Sequence, residues 1–287
     1  MNRLRRWLIP LALISGGTQP AWGYEAGLHQ QLTFIAARQF NICVQDASDI
    51  RRLSALDSRY VVKAIVAEAD ANVFVRMVRW DYYNREDQTN RTTLGFVDTR
   101  FHKHFDELVI RAERSNPRSE RLRHLGRILN HIQNVSSPAH AVPVYTGRWW
   151  RLSFGDRFNR YPIDTDLIES RVRERCAEVL SPPATFQEIL VDSADATAEA
   201  LRRPIRGFPV TWESFWKFAR TAEGFGEYGP AGNAFGERTE FPCGQRNRCL
   251  LLKNDPLYEE FSVERHVDAV IATMRALVRL QIEESAL

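Results

Sequence analysis

The chain has 287 residues, 44% of them hydrophobic, so it can close a sizeable core. Its 39 basic and 36 acidic residues leave a net charge of +3. The arginines are spread among acids along helical stretches, which excludes the clustered basic face of sequence-specific nucleic-acid binding.

The chain opens on "MNRLRRWLIPLALISGGTQPAWG", with Arg3, Arg5 and Arg6, an apolar run from Trp7 to Ile14, then small and polar residues. This is the pattern of a signal peptide over residues 1–21. The run is shorter than the ~20 residues of a spanning helix, and no later segment approaches that length. The expectation is one domain over residues 22–287, secreted or periplasmic, with no transmembrane segment in the mature protein. Export makes four cysteines readable as disulfides. Cys243 and Cys249 bracket "GQRNR" and could close a small loop, leaving Cys43 and Cys176 to pair across the fold. Four cysteines allow three pairings, and spacing alone does not choose.

Helical periodicity dominates the rest. Residues 28–40 put Leu28, Leu32, Ile35 and Ala36 on one side. Residues 46–78 read as two helices broken near Asp57-Ser58, with Ser48 or Asp46 as a cap. Helices are also expected over 99–115, 118–135, 166–180 and 184–203. In 118–135, Leu122, Leu125, Leu129 and Ile132 form the core face. Residues 261–285 form a long closing helix with a stripe of Val263, Val267, Val270, Met274, Leu277 and Leu280 or Ile282. Strand signals are nearly absent. Two irregular segments interrupt the helices: 141–165, with Trp149 and Trp150, and 204–256, rich in Gly, Pro and aromatics. Long loops of that kind are often functional. Trp212, Phe215 and Trp216 read as core, or as the lining of an acyl or head-group pocket. The fold class is all-α, a single multi-helix domain with long irregular loops.

The chemistry concentrates at "LNHIQNVSSPAH" (129–140). Asn130 and Asn134 stand four apart and share one helix face. His29, His102, His104, His124, His131, His140 and His266 complete the inventory of histidines. His102 and His266 read as structural, and His131 as packed beside His124, with a one-residue slip or π-bulge as its route into a site. No G-x-S-x-G, P-loop, C-x-x-C or H-E-x-x-H occurs, so serine-triad hydrolysis, nucleotide binding and zincin chemistry have no support.

"WGYEAGLHQQLT", "HFDEL" and "LGRILNHIQNVSSPAH" together resemble the zinc-dependent phospholipase C and S1/P1 nuclease superfamily, over roughly half the chain, residues 22 to 160. The resemblance implies an exported helical fold of that type with a three-zinc cluster. It implies metal ligands at Trp22, His29, Asp87 (with Asp81 as a competitor), His104 and His140, Asp87 being also the candidate catalytic residue. Cleavage after Ala21 would present Trp22 as the N-terminus; cleavage after Gly23 would remove it. The resemblance also marks four positions where ligands are replaced: Asn130 for a histidine, Asn134 for a bridging aspartate, and Gly155 and Asn159 for the last two, with Asp156 nearby.

Zinc takes thiolate, imidazole and carboxylate. A neutral amide binds through its carbonyl oxygen, which suits harder cations. Losing the bridging carboxylate removes charge that holds two cations together, so the expectation is a reduced number of zinc ions or none. Two functions follow. The first is an exported metal-dependent phosphoester hydrolase, in which metal-activated water attacks a substrate such as a phospholipid or nucleotide. The alternative is a catalytically degenerate relative that binds a lipid head group, a phosphate or a protein.

Overall fold

The computed structural model describes residues 26–70, 83, 101–144, 155–181, 184–220 and 225–285. The expected signal peptide, Trp22, Asp81, Asp87, Trp149 and Trp150 lie outside them. The described chain is mostly helical: α1 (Ala26–Cys43), α2 (Ala55–Ala69), α3 (Phe101–Arg114), α4 (Arg118–Asn134), α5 (Pro138–Ala141), α6 (Thr165–Glu174), α7 (Cys176–Val179), α8 (Phe186–Arg202) and α9 (Pro256–Ser285). No helix among the described residues is long and apolar enough to cross a membrane.

α4 is the central element. It packs against α2, α3, α8 and α9, while α1 lies across α2 and α9. Its apolar stripe, Leu122, Leu125, Leu129 and Ile132, is buried as its 3.6-residue spacing requires. The closing helix buries Val263, Val267, Val270, Met274, Leu277 and Leu280 in the same apolar cluster. α9 starts five residues earlier than its periodicity suggests. Pro256 suits a first helical turn, and Asp255 accepts a hydrogen bond from the Leu257 amide at 3.1 Å.

α2 and α4 run parallel, and their contacts step along both helices in the same direction. Arg118 Nε lies 3.6 Å from Asp57, Arg123 sits 5.1 Å over the Tyr60 ring, and Arg127 Nε lies 4.0 Å from Glu68. Between these contacts is Gly126. A methyl group there would lie 2.5 Å from the Val61 carbonyl oxygen and 2.7 Å from the Ala64 Cβ. The glycine therefore sets how closely the two backbones approach, and so how near Glu68 comes to α4.

Residues 46–54 are not helical, which corrects the first part of the pair of helices expected over 46–78; residues 71–78 lie outside the described residues. The cap is Ser54 rather than Ser48 or Asp46. Its Oγ accepts from the Asp57 amide at 3.1 Å, and Asp57 accepts from the Ser54 amide at 3.1 Å. Asp57 and Ser58 belong to the first turn of a capping box, not to a break. The stretch 166–180 divides at Arg175, which pairs with Glu178 and with Asp268 of α9.

The segment 204–256 is less irregular than its composition suggests. β1 (Trp216–Lys217) pairs antiparallel with β2 (Glu227–Tyr228), and β3 (Thr239–Pro242) with β4 (Arg248–Leu251). Two of these strands have two residues and two have four, too short for a sustained alternation to be visible in the sequence. Trp212, Phe215 and Trp216 are buried with Phe158, Phe235, Tyr258 and Phe261 in one aromatic cluster, so they are core residues.

Both cysteine pairs are disulfides: Cys43–Cys176 joins the end of α1 to the start of α7, and Cys243–Cys249 closes the β3–β4 hairpin. Chain-entropy reasoning gives the long loop, with a sequence separation of 133, about 5 kcal/mol, and the short one, with a separation of 6, about half as much.

Gly126→Ala sets two effects in opposition. Helix propensity favours alanine by about 1 kcal/mol. A Cβ pressed against backbone atoms that cannot swing away costs about 1–3 kcal/mol. The clash is expected to win, lowering Tm by a few degrees, as read by calorimetric melting. A raised Tm would mean that α2 and α4 are not held at this distance.

Candidate functional site

The last turns of α4 divide the histidines between two sides of the helix. Asn130, Gln133 and Asn134 face α1 and α9. His131, about 100° round from Asn130, faces α2 and α3.

On the first side lies a buried polar network whose protons can be assigned. Thr33 Oγ1 donates to the His29 carbonyl at 2.7 Å, and Thr273 Oγ1 donates to the Ala269 carbonyl at 2.8 Å. Each hydroxyl has a single proton and has used it, so each accepts from Gln133 Nε2, at 3.1 and 3.0 Å. Gln133 therefore turns its Oε1 to His29, and His29 Nδ1 donates to it at 2.8 Å. That places the proton of a neutral ring on Nδ1 and leaves the Nε2 lone pair to accept from Asn130 Nδ2 at 3.2 Å. Asn130 Oδ1 in turn accepts from Asn134 Nδ2 at 3.2 Å. His29, Asn130, Gln133 and Asn134 are all nearly inaccessible. The network links these buried polar groups without a net charge, which a low-dielectric interior tolerates, although Asn134 Oδ1 has no hydrogen-bond partner among the described residues.

The substituted positions further along are also drawn into neutral hydrogen bonds. Gly155 has φ 102°, a left-handed conformation that favours glycine, and its carbonyl accepts from Asn233 Nδ2 at 3.0 Å. Asn159 Oδ1 accepts from Ser137 Oγ at 2.6 Å. Asp156 beside them is fully buried and accepts from the Phe158 amide, Trp216 Nε1 and Tyr228 OH at 2.8, 2.7 and 2.9 Å. Burial pushes its carboxyl up from the ordinary aspartate range, against the pull of those three donors and of the nearby His140. His140 itself is buried in the short helix α5.

The second side holds side chains of types that could ligate a metal. Glu68 of α2, His104 of α3 and His131 of α4 each bring one ligand atom within 4.8 Å of the other two. Among the described residues no other three His, Cys, Asp or Glu side chains do so. His29, His104 and His140 do not form such a set by themselves. His131 reaches this place from a regular helix, with no slip or bulge. Nor does it pack beside His124. Both face α3, but seven residues of helix separate them by about 10 Å. His131 meets Phe101, His104 and Phe105 at ring distances of 5.1, 5.5 and 6.1 Å. His124 instead lines a surface groove of about 370 Å³ with Glu107, Ile110, Arg111, Arg114 and Ser115. Desolvation, then the charge of Arg127, lowers the His124 pKa from its ordinary value.

His102 contacts Phe101 and Tyr83, and His266 is buried against Phe158, as structural histidines do. Burial first, and then Arg265 beside it, lowers the His266 pKa to about 3, so it is neutral at physiological pH. Glu68 had no motif to mark it. Gln133 lay inside the motif, but an amide carries no metal signature.

Comparison with protein-family models, curated proteins and solved structures finds no match. The likeness to the phospholipase C and nuclease superfamily therefore rests on the motif residues themselves.

If the network is one cooperative unit, His29→Leu and Gln133→Leu will not be additive. Gln133→Leu alone strips partners from His29, Thr33 and Thr273, and should cost about 1–3 kcal/mol. The double variant should lose less than the two singles together, by about 0.5–3 kcal/mol of coupling. Urea unfolding of the four proteins measures this, and strict additivity would refute the network.

Proposed function

We propose that this chain is an exported, helical binding module, a catalytically degenerate counterpart of the zinc-dependent phospholipase C and S1/P1 nuclease type. The observation that carries this reading is the state of His29. In a working centre of that type its lone pair would belong to a metal. Here an amide hydrogen of Asn130 occupies it, and the other ring nitrogen is committed to Gln133. Asn134 supplies no bridging charge, and Asn159 is held by Ser137. Among the described residues the carried-over positions do not fit a zinc cluster, so no hydrolytic step is assigned to them.

The signal-like first 21 residues and the two disulfides support a secreted or periplasmic location. A phosphate-bearing ligand, such as a lipid head group, is supported by the groove between α3 and α4, which Arg111 and Arg114 line with a single acid, Glu107, 3.7 Å from Arg111. Arginine forks suit phosphate oxygens. The other reading, a metal-dependent phosphoester hydrolase, draws on a separate cluster, Glu68, His104 and His131.

The test uses the mature protein with vesicles of phosphatidylglycerol or phosphatidylcholine, zinc being present. The expected result is sedimentation with the anionic vesicles, weakened about tenfold or more in Arg111→Ala/Arg114→Ala, in line with the loss of two charge-assisted contacts, and no release of phosphorylated head group from either lipid. Zinc-dependent release of phosphorylated head group would overturn the proposal and restore the hydrolase, and its loss in His29→Ala or in Glu68→Gln would say which of the two places carries it.

A further inference from the structure

We propose that Glu68, His104 and His131 form a mononuclear site for a divalent transition metal, zinc foremost, built on three helices. The inference is independent of the reading above, because none of its atoms belongs to the His29 network and two of its three ligands lie outside the set that the resemblance implies. Two imidazoles and one carboxylate are a donor set that zinc accepts with a fourth position left open.

The geometry is close to what such an ion needs. His104 Nε2 stands 3.9 Å from Glu68 Oε1, and one ring nitrogen of His131 lies within 4.8 Å of both partners' ligand atoms. Bonds of ~2.0–2.2 Å to a tetrahedral ion separate its ligands by about 3.4 Å, so side-chain movements of about 1 Å close the site. The flexible glutamate can supply most of that movement.

The surroundings suit a bound cation. Glu68 Oε2 lies 4.0 Å from Arg127 Nε, while Oε1 points to His104, so the guanidinium orients the carboxylate from behind. His131 is 1% exposed, and Phe101 and Phe105 present ring contacts to it. An apolar wall of this kind strengthens the attraction between a metal ion and its carboxylate. The rim is open: the His104 side chain is 29% exposed and that of Glu68 15%. A water molecule or an anionic oxygen can therefore reach the fourth position.

The close approach at Gly126 is what makes the site possible. Glu68 lies one helical turn beyond Ala64, and His131 lies just over a turn beyond Gly126, on helices that run in parallel. Widening that crossing would carry the carboxylate away from both imidazoles.

The test is calorimetric titration of the purified mature protein with zinc chloride, using wild type, Glu68→Gln, His104→Gln, His131→Gln and His29→Gln. Glu68 and His104 lie at the rim, so their amide variants keep the shape and should fold, which circular dichroism verifies. The expected result is one zinc per chain. Even outer-shell substitutions typically weaken a site 10- to 100-fold, so each of the three ligand variants should weaken binding by at least about tenfold. His29→Gln should leave the affinity unchanged. Wild type that binds no zinc overturns the proposal. So does binding that Glu68→Gln leaves unaltered, or that His29→Gln reduces as much as Glu68→Gln does.

Discussion

The close crossing of α2 and α4 at Gly126 is the constraint on which the rest of the arrangement depends. Gly126 brings no side chain to the crossing, and the Val61 carbonyl and the Ala64 methyl occupy the space that a Cβ would need. Tight contact holds the part of α4 beyond it, residues 127–134, at a fixed height and rotation. One side of that part then meets α1 and α9. The other meets α2 and α3. The leucine–glycine pair that introduces the motif thus has a packing role, distinct from the polar chemistry after it.

The two sides of that part of α4 solve the same electrostatic problem in opposite ways. Buried ionised groups are costly unless they are paired or bind a cation. Toward α1, the solution is neutrality: a histidine in one fixed tautomer, three amides and two threonine hydroxyls, joined by hydrogen bonds. Asn134 is neutral, so it brings no buried charge that would require a cation. Toward α2 and α3, a carboxylate remains with two imidazoles, at a place that solvent can reach. The contrast separates a structural role for His29 from the ligand role proposed for His104 and His131.

Much of the helical framework was legible from periodicity, because a stripe such as Leu122, Leu125, Leu129 and Ile132 has one physical meaning. Boundaries were harder to read. The Ser54-x-x-Asp57 pattern is a capping box, yet Asp57-Ser58 reads equally as an interruption in a longer helix. The strands escaped notice because a pair of two-residue and a pair of four-residue segments generate too little alternation. In the site, Asn130 and Asn134 stood out against the pattern of the motif. Their partners did not. Gln133 meets Thr33 and Thr273 across 100 and 140 residues of sequence. Glu68 meets His104 and His131 only through the parallel packing of distant helices, which no local pattern encodes.

The neutral, amide-locked state of His29 is the central claim, and ring nitrogen spectroscopy tests it most directly. In protein labelled with ¹⁵N at histidine, long-range proton–nitrogen correlation separates a protonated from an unprotonated ring nitrogen. The expected spectrum shows His29 with the proton on Nδ1 and Nε2 as a bare acceptor, and neither signal moves when zinc is added. A His29 Nε2 resonance that shifts with stoichiometric zinc, or a ring that carries its proton on Nε2, would contradict the account.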